Sequence, residues 1–326
     1  LNPYKIGTAL QLAAVKDRMV ENSGDVHFIQ TGDIDLAQYG NWIPIGNSNT
    51  PFKGSYDGNG KVISNLKISS IQSSDAGLFG FIGPSGKLEN ISLALVNINL
   101  NGSRINVGSL AGTNQGTIDN CSNTGNVFTN TGNVSIANIG GLVGFNGAGG
   151  IITGCANGGG VGSNYTNGFV GGIAGISSGT ISNTYNTAEV TGGVNSGGLV
   201  GQITGGTKIE DSYNSGDIKG DRVAGLIGAI NDGNIIVTKS YNSGDIDGGT
   251  AGGLIGYNFF GSVNISDSHN SGNIYGFNVA GGLVGYNMSG IINIRDSYNS
   301  YNIYGYNNAG GLIGYIDNGP ATINSS

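Results

Sequence analysis

The sequence predicts an all-β fold: a parallel β-helix, or β-solenoid, of about ten coils closed at its N-terminal end by a capping helix. Three observations carry that prediction. A GLxG element returns nine times, with its apolar lead residue at Leu78, Leu110, Leu142, Ile173, Leu199, Leu226, Leu254, Leu283 and Leu312. Downstream of it a second element returns seven times, from DNCSNTGNV through EDSYNSGDI to RDSYNSYNI. Finally, columns read down the copies each keep one chemical character. Such a chain is an array of units that lean on their neighbours and grows by adding units, so its 326 residues are expected to form one continuous domain.

Composition narrows the class of protein. The 64 Gly would suggest disorder, but 37% of residues are hydrophobic and they recur at regular places, so order is expected. Charged residues make up only 10%, against roughly 25% in typical soluble proteins; Asn, Ser, Thr and Gly do the solvating. The net charge is −7 and the 13 Lys and Arg are scattered, which leaves no basic stripe for nucleic acid or anionic lipid. No apolar run approaches the roughly 20 residues that span a bilayer, and no basic-then-apolar signal opens the chain. A start at Leu1 without Met points to an excised piece of a longer precursor.

Residues 1–76 read as a cap and irregular first coils, and residues 77–326 as the regular array. Within 1–20, Thr8 can cap a helix whose buried stripe is Ala9, Leu12, Val15, Met19 and Val20. It would cover the open edge of a strand stack. Residues 26–68 hold short strands, with Asp57 to Gly60 (DGNG) as a tight turn between apolar flanks.

From residue 77 the interval between GLxG copies falls from 32 to 26 and returns to 29, a drift suited to corners that absorb insertions. The column Ile118, Ile152, Ile181, Ile209, Val237, Ile265 and Ile294 is always β-branched, as an inward strand position requires. Three residues on, Cys121, Cys155, Thr184, Ser212, Ser240, Ser268 and Ser297 are always small and are expected inside a tight corner. Two further on, Asn123, Asn157, Asn186, Asn214, Asn242, Asn270 and Asn299 predict an amide ladder that bonds from coil to coil. Between these columns lie Ser122, Ala156, Tyr185, Tyr213, Tyr241, His269 and Tyr298, outward by alternation, although the three-residue step before them implies a bulge and leaves the parity open. Segments this short cannot pair within a copy, so they pair with the next; at about 4.8 Å per coil the rod is roughly 50 Å long. Ile323 and Ser326 fit the Ile and Ser columns, so the chain stops inside a copy and is expected to be truncated at its C-terminal end.

These linked elements resemble the GLUG motif of bacterial surface proteins, over roughly residues 77–315. The copies SLAG at Ser109, Ala188 in a Gly position, and Asn123 and Asn157 without a preceding Tyr depart from it. The resemblance implies a right-handed β-helix of the kind found in adhesins and in the non-catalytic stalks of immunoglobulin A peptidases. It implies a secreted or cell-surface location and supplies no catalytic residue; the uncapped C-terminal end in turn predicts further repeats or domains of the same precursor as partners.

The inventory for chemistry is thin. Asp33, Asp35 and Asp57 lie beside Gly or on alternating strands, which favours turn and surface roles over a glycosidase pair. His27 and His269 lie far apart and in no metal motif. Arg222, Arg295, Lys208 and Lys239 fall in different columns, unlike the basic groove of a polysaccharide lyase. Asp217, Asp221, Asp245 and Asp247 lack the spacing of the glycine-rich calcium nonapeptide. No cofactor and no metal is therefore expected. Cys121 and Cys155 could bridge adjacent coils, with small buried packing residues as the favoured reading.

The candidate ligand-binding residues are aromatic: Tyr275, Phe277, Tyr301, Tyr304 and Tyr306, with Tyr257, Tyr286 and Tyr315 following GLxG in successive copies. Exposed aromatic patches mark contact with sugars or peptides, whereas a buried column would be a stabilising stack. The expected function is a non-catalytic surface or secreted adhesin-like β-helix that binds host glycan or extracellular protein, or presents a neighbouring domain. The alternatives are a polysaccharide-degrading β-helix and a passive stalk of a larger peptidase.

Overall fold

A computed structural model describes residues 2–21, 26–100, 105–129, 137–164 and 167–326. The chain winds as a parallel β-solenoid of about ten turns. Each regular coil lays one strand in each of four sheets, for example Thr207–Glu210 in sheet 1, Tyr213–Asn214 in sheet 2, Ile218–Ala224 in sheet 3 and Ile227–Ile230 in sheet 4. Among the described residues these sheets hold 12, 10, 15 and 9 strands, and sheet 1 runs unbroken from the irregular first coils to the last. Neighbouring coils pair in register, so the predicted columns are real: Ile152 lies beside Ile181, Ile181 beside Ile209, and Ile294 beside Ile323.

The N-terminal end departs from the simple helical reading in one respect. Tyr4–Ile6 is a strand that pairs with Phe28–Gln30, so the cap begins as part of sheet 1. Helices α1 (Ala9–Ala13) and α2 (Val15–Glu21) follow, separated at Ala14. Thr8 caps α1 as expected: its hydroxyl accepts a hydrogen bond from the Gln11 amide at 3.2 Å. Leu12 and Val15 are buried, and Ala9 and Met19 pack on the core. The Val20 side chain lies outside the described residues. The DGNG segment turns the chain from sheet 1 into sheet 2, with Asn59 and Gly60 at φ of 52° and 66°, so it is a coil corner and not a hairpin.

The two repeated elements pack against each other across the interior. In the amide ladder each Asn Nδ2 donates to the Oδ1 of the next coil's Asn at 2.7–2.9 Å, from Asn123 through Asn299. The same Nδ2 donates to the carbonyl two residues on, such as Gly216 O from Asn214, which satisfies a corner that would otherwise bury an unpaired acceptor. Facing this ladder is the first Gly of GLxG. A Cβ on Gly225 would lie 2.2 Å from Asn242 Cγ and 2.4 Å from Gly253 O, so no side chain fits there. Ser109 fills the equivalent place once and donates to Gly141 O at 2.5 Å.

The small column works differently. Each backbone amide donates to the side chain of the next coil, as Ser212 N does to Ser240 Oγ at 3.2 Å. Each hydroxyl in turn donates two residues back, as Ser240 does to Thr238 O. Cys121 and Cys155 take the same place as free thiols, both buried, with the Cys121 amide 3.4 Å from Cys155 Sγ. Burial pushes the Cys121 thiol up from its ordinary range. Just before this column the chain turns through the left-handed region, at Asn90, Asn120, Asn183, Asp211, Lys239, Asp267 and Asp296. After glycine, Asn and Asp tolerate that conformation best, which explains these polar residues other than Lys239 without invoking chemistry.

Candidate binding surface

The exposed aromatic residues fall into two physically distinct sets. In the first, rings stack along the solenoid axis because in-register coils place equivalent positions about one strand spacing apart. Tyr185, Tyr213, Tyr241, His269 and Tyr298 form one such stack, with centroids 4.9–5.1 Å apart and planes within 7°. The outward direction expected by alternation holds. Tyr257 and Tyr286 stack at 4.6 Å, Tyr286 and Tyr315 lie 5.1 Å apart, and Tyr275 and Tyr304 stack at 5.0 Å. A ring inside a stack has both faces covered and offers solvent its edge and hydroxyl. Partial burial pushes the phenols of Tyr213, Tyr257 and Tyr286 up and the imidazole of His269 down, so all four are uncharged at neutral pH.

The second set is Phe277, Tyr301 and Tyr306. Phe277 and Tyr306 are 80% and 87% exposed. A backbone bulge places them. Gly248 pairs with Gly276 and Thr250 with Val279, so two residues, Phe277 and Asn278, stand where the previous coil has only Gly249. The next coil repeats the enlarged corner: Tyr306 N donates to Gly276 O, and Asn307 Nδ2 to Asn278 Oδ1. Phe277 and Tyr306 therefore project from equivalent corners of adjacent coils. Tyr301 is also exposed and takes a position that is Gly in most copies.

Of the sequence candidates, the structure brings Tyr275 and Tyr304 together in a stack and puts Phe277 and Tyr306 side by side on the adjoining corner. One group escaped sequence reasoning. Arg222 lies over Tyr257 at 4.9 Å and Phe259 at 5.2 Å, and next to them Phe260 is exposed. The FF pair after Tyr257 was its only signal, and nothing in a single copy marks Arg222 as its partner.

The remaining polar candidates do not converge. Asp33, Asp35 and Asp57 accept the amides of Val62, Ala37 and Asn59, and the bonds from Asn65 and Ala37 hold the Asp35 carboxyl below its ordinary value. His27 bonds Ser55 Oγ in sheet 1, whereas His269 is inside the Tyr stack of sheet 2. Lys208 pairs with Glu210, Arg295 lies 3.7 Å from Asp296, and Lys239 sits at a left-handed corner. Asp217 and Asp245 stack at one corner, each accepting the backbone amide of the next coil. Among the described residues no three His, Cys, Asp or Glu gather as metal ligands, and no helix is long and apolar enough to cross a membrane.

Comparison with known proteins agrees with this architecture. Residues 103–127 and 192–219 match the family model of the GLUG motif, and each match includes a GLxG copy or its Ser109 variant. The chain is 39% identical over 126 residues to a "Putative Gly-rich membrane protein" of Evansella cellulosilytica, covering 37% of this chain and 14% of that protein. It is 33% identical over 154 residues to Halomucin of Haloquadratum walsbyi, covering 44% of this chain and 2% of that protein. The chain thus spans a small part of these relatives' length. A solved structure described as a "putative immunoglobulin A1 protease" from Bacteroides ovatus superposes with a TM-score of 0.55 at 21% identity, over 96% of this chain and 84% of that one. This last likeness is one of fold.

Proposed function

We propose that this chain is a non-catalytic β-helix of a surface or secreted protein, adhesin-like in action, which binds an extracellular glycan or protein through the aromatic corner of its C-terminal coils. The observation that carries the reading is the pair Phe277 and Tyr306. Phe277 is 80% exposed although the next coil lies on its strand, and Tyr306 takes the equivalent corner of that coil, so these side chains do nothing for the core, and such exposure marks contact. Tyr275 and Tyr304 flank them as a rigid stack, and Tyr301 adds a further exposed ring on the same coil as Tyr304. The relatives named for a membrane protein and a mucin support a surface or secreted setting. The catalytic alternative has less support from side chains, since Lys208 is paired with Glu210, Arg222 lies over Tyr257 and Phe259, and Asp217 and Asp245 accept backbone amides.

An array of glycans and extracellular-matrix proteins tests this reading. We expect reproducible binding that is lost when Phe277 and Tyr306 are replaced by Ala. Survival of all arrayed binding in this double replacement, or release of new reducing or unsaturated ends from polysaccharides, would sink it. Failure of every arrayed ligand to bind would leave the passive stalk as the better description.

A further inference from the structure

Where the stack of sheet 2 ends, a trough begins. Tyr185 pairs with Ala156 of the preceding coil, Ala156 with Ser122, and Ser122 with Ser92, so the column that carries rings in later coils is empty of them here. Tyr213 covers one face of the Tyr185 ring at 4.9 Å; among the described residues no ring covers the other, and the residue is 37% exposed. That face closes one end of a cavity of about 320 Å³ lined by Asn59, Asn90, Ser92, Asn120, Ser122 and Ala156, among others. The cavity is the space that further ladder rings would fill.

The lining selects the occupant. No charged side chain lines the cavity. One wall is aromatic, and the others carry amides and hydroxyls. Asn120 Nδ2 donates to Asn90 Oδ1 at 2.7 Å, and Asn90 Nδ2 donates to Asp57 Oδ1 at 2.9 Å. This chain of bonds fixes the amides in place along the trough. Ser122 Oγ and Ser92 Oγ are 3.4 Å apart and both part-buried on the floor. A ring that stacks by its C–H face and meets amides and hydroxyls at its rim suits this lining; a purely apolar or ionic group does not.

We infer that this trough is a binding site for a neutral sugar ring, seated on the open face of Tyr185 as the next member of the stack. The site is separate from the corner at Phe277 and Tyr306 and does not depend on it.

Saturation-transfer NMR and calorimetry with cellohexaose, chitohexaose and maltohexaose, and with polygalacturonate as the charged control, test the inference on the whole chain. At least one neutral hexasaccharide is expected to bind. Tyr185→Ala should weaken it about tenfold, and Tyr185→Phe should retain it. Ala156→Tyr/Ser122→Tyr/Ser92→Tyr is the decisive variant, because rings at all three places extend the stack and fill the trough; it should abolish binding while the fold is kept. The Phe277→Ala/Tyr306→Ala variant should bind as the parent does, which separates failure here from failure of the adhesive corner. Absence of binding by all three neutral sugars, undiminished binding by Ala156→Tyr/Ser122→Tyr/Ser92→Tyr, or a site that takes N-acetyltyrosine amide but no sugar would each overturn it.

Discussion

The first coils and the later coils use their aromatic residues in opposite ways. Before residue 80, Phe28, Trp42, Phe52, Tyr56 and Phe79 are all buried, and Phe52 and Phe79 meet at 4.8 Å. Trp42 Nε1 donates to Leu78 O and Tyr56 Oη to Gln30 Oε1, so even their polar atoms are satisfied inside. After residue 180 the interior is held by Ile, Leu, Ser and Asn columns with glycines pressed against them, and the aromatic rings stand outside. The irregular end must fill an uneven volume beneath a helical cap, which large rings do well. The regular end has a narrow, repeated cross-section that admits no ring, so a Tyr there faces water or another Tyr.

That contrast can be broken most severely at its irregular end. Phe79→Ala removes a ring packed on both Phe52 and Tyr56 and should cost about 3–5 kcal/mol. Because an array need not unfold in one step, hydrogen exchange should show the loss concentrated in the first coils. An equal loss of protection in the last coils would mean that the two ends are not distinct.

In the regular coils the corresponding weak point is polar. Asn214→Ala takes the acceptor from Asn186 Nδ2, the donor from Asn242 Oδ1 and the partner from Gly216 O. Leaving buried polar groups unpaired should cost about 3 kcal/mol in denaturant unfolding. A loss under about 0.5 kcal/mol would show that the ladder follows from the coil and does not hold it.

The outer rings should matter far less to stability. Tyr241→Ala breaks stacks on both sides, and we expect a loss of about 1 kcal/mol, measured the same way. The smallest effect is at His269. Burial lowers its pKa from the ordinary 6.5, so the unfolded chain takes up the proton first. Its contribution is therefore present above the unfolded pKa and is lost as pH falls through it. Parent and His269→Tyr should have parallel unfolding temperatures above pH 7 and diverge below 6.5, with the variant the more stable; a constant difference across that range would contradict this.

What was legible in the sequence follows the same division. The Asn ladder, the Ser and Cys corner and the outward Tyr column could be read because each keeps one residue type over many copies, so the copies serve as their own alignment. A second amide ladder could not. Asn114 bonds Asn146, and Asn258 bonds Asn287, but Ile203 and Ile230 take the same column between them, and two chemistries in one column hide it. The irregular coils offered no columns, so their aromatic core and the strand at Tyr4–Ile6 were out of reach. Among the aromatic residues the sequence singled out the rings but not their division into stacked and free. That division depends on a one-residue bulge at Phe277, visible only once Gly276 is seen beside Gly248.

The separation of scaffold from the proposed binding corner is most directly tested by measuring ligand binding and thermal unfolding together on Phe277→Ala/Tyr306→Ala, with an arrayed ligand that the parent and Tyr185→Ala capture alike. We expect binding to fall at least about tenfold while the unfolding temperature stays within about 1 °C of the parent, because neither ring is part of the core. Unchanged binding, or a fall in unfolding temperature that accounts for the lost binding, would contradict it.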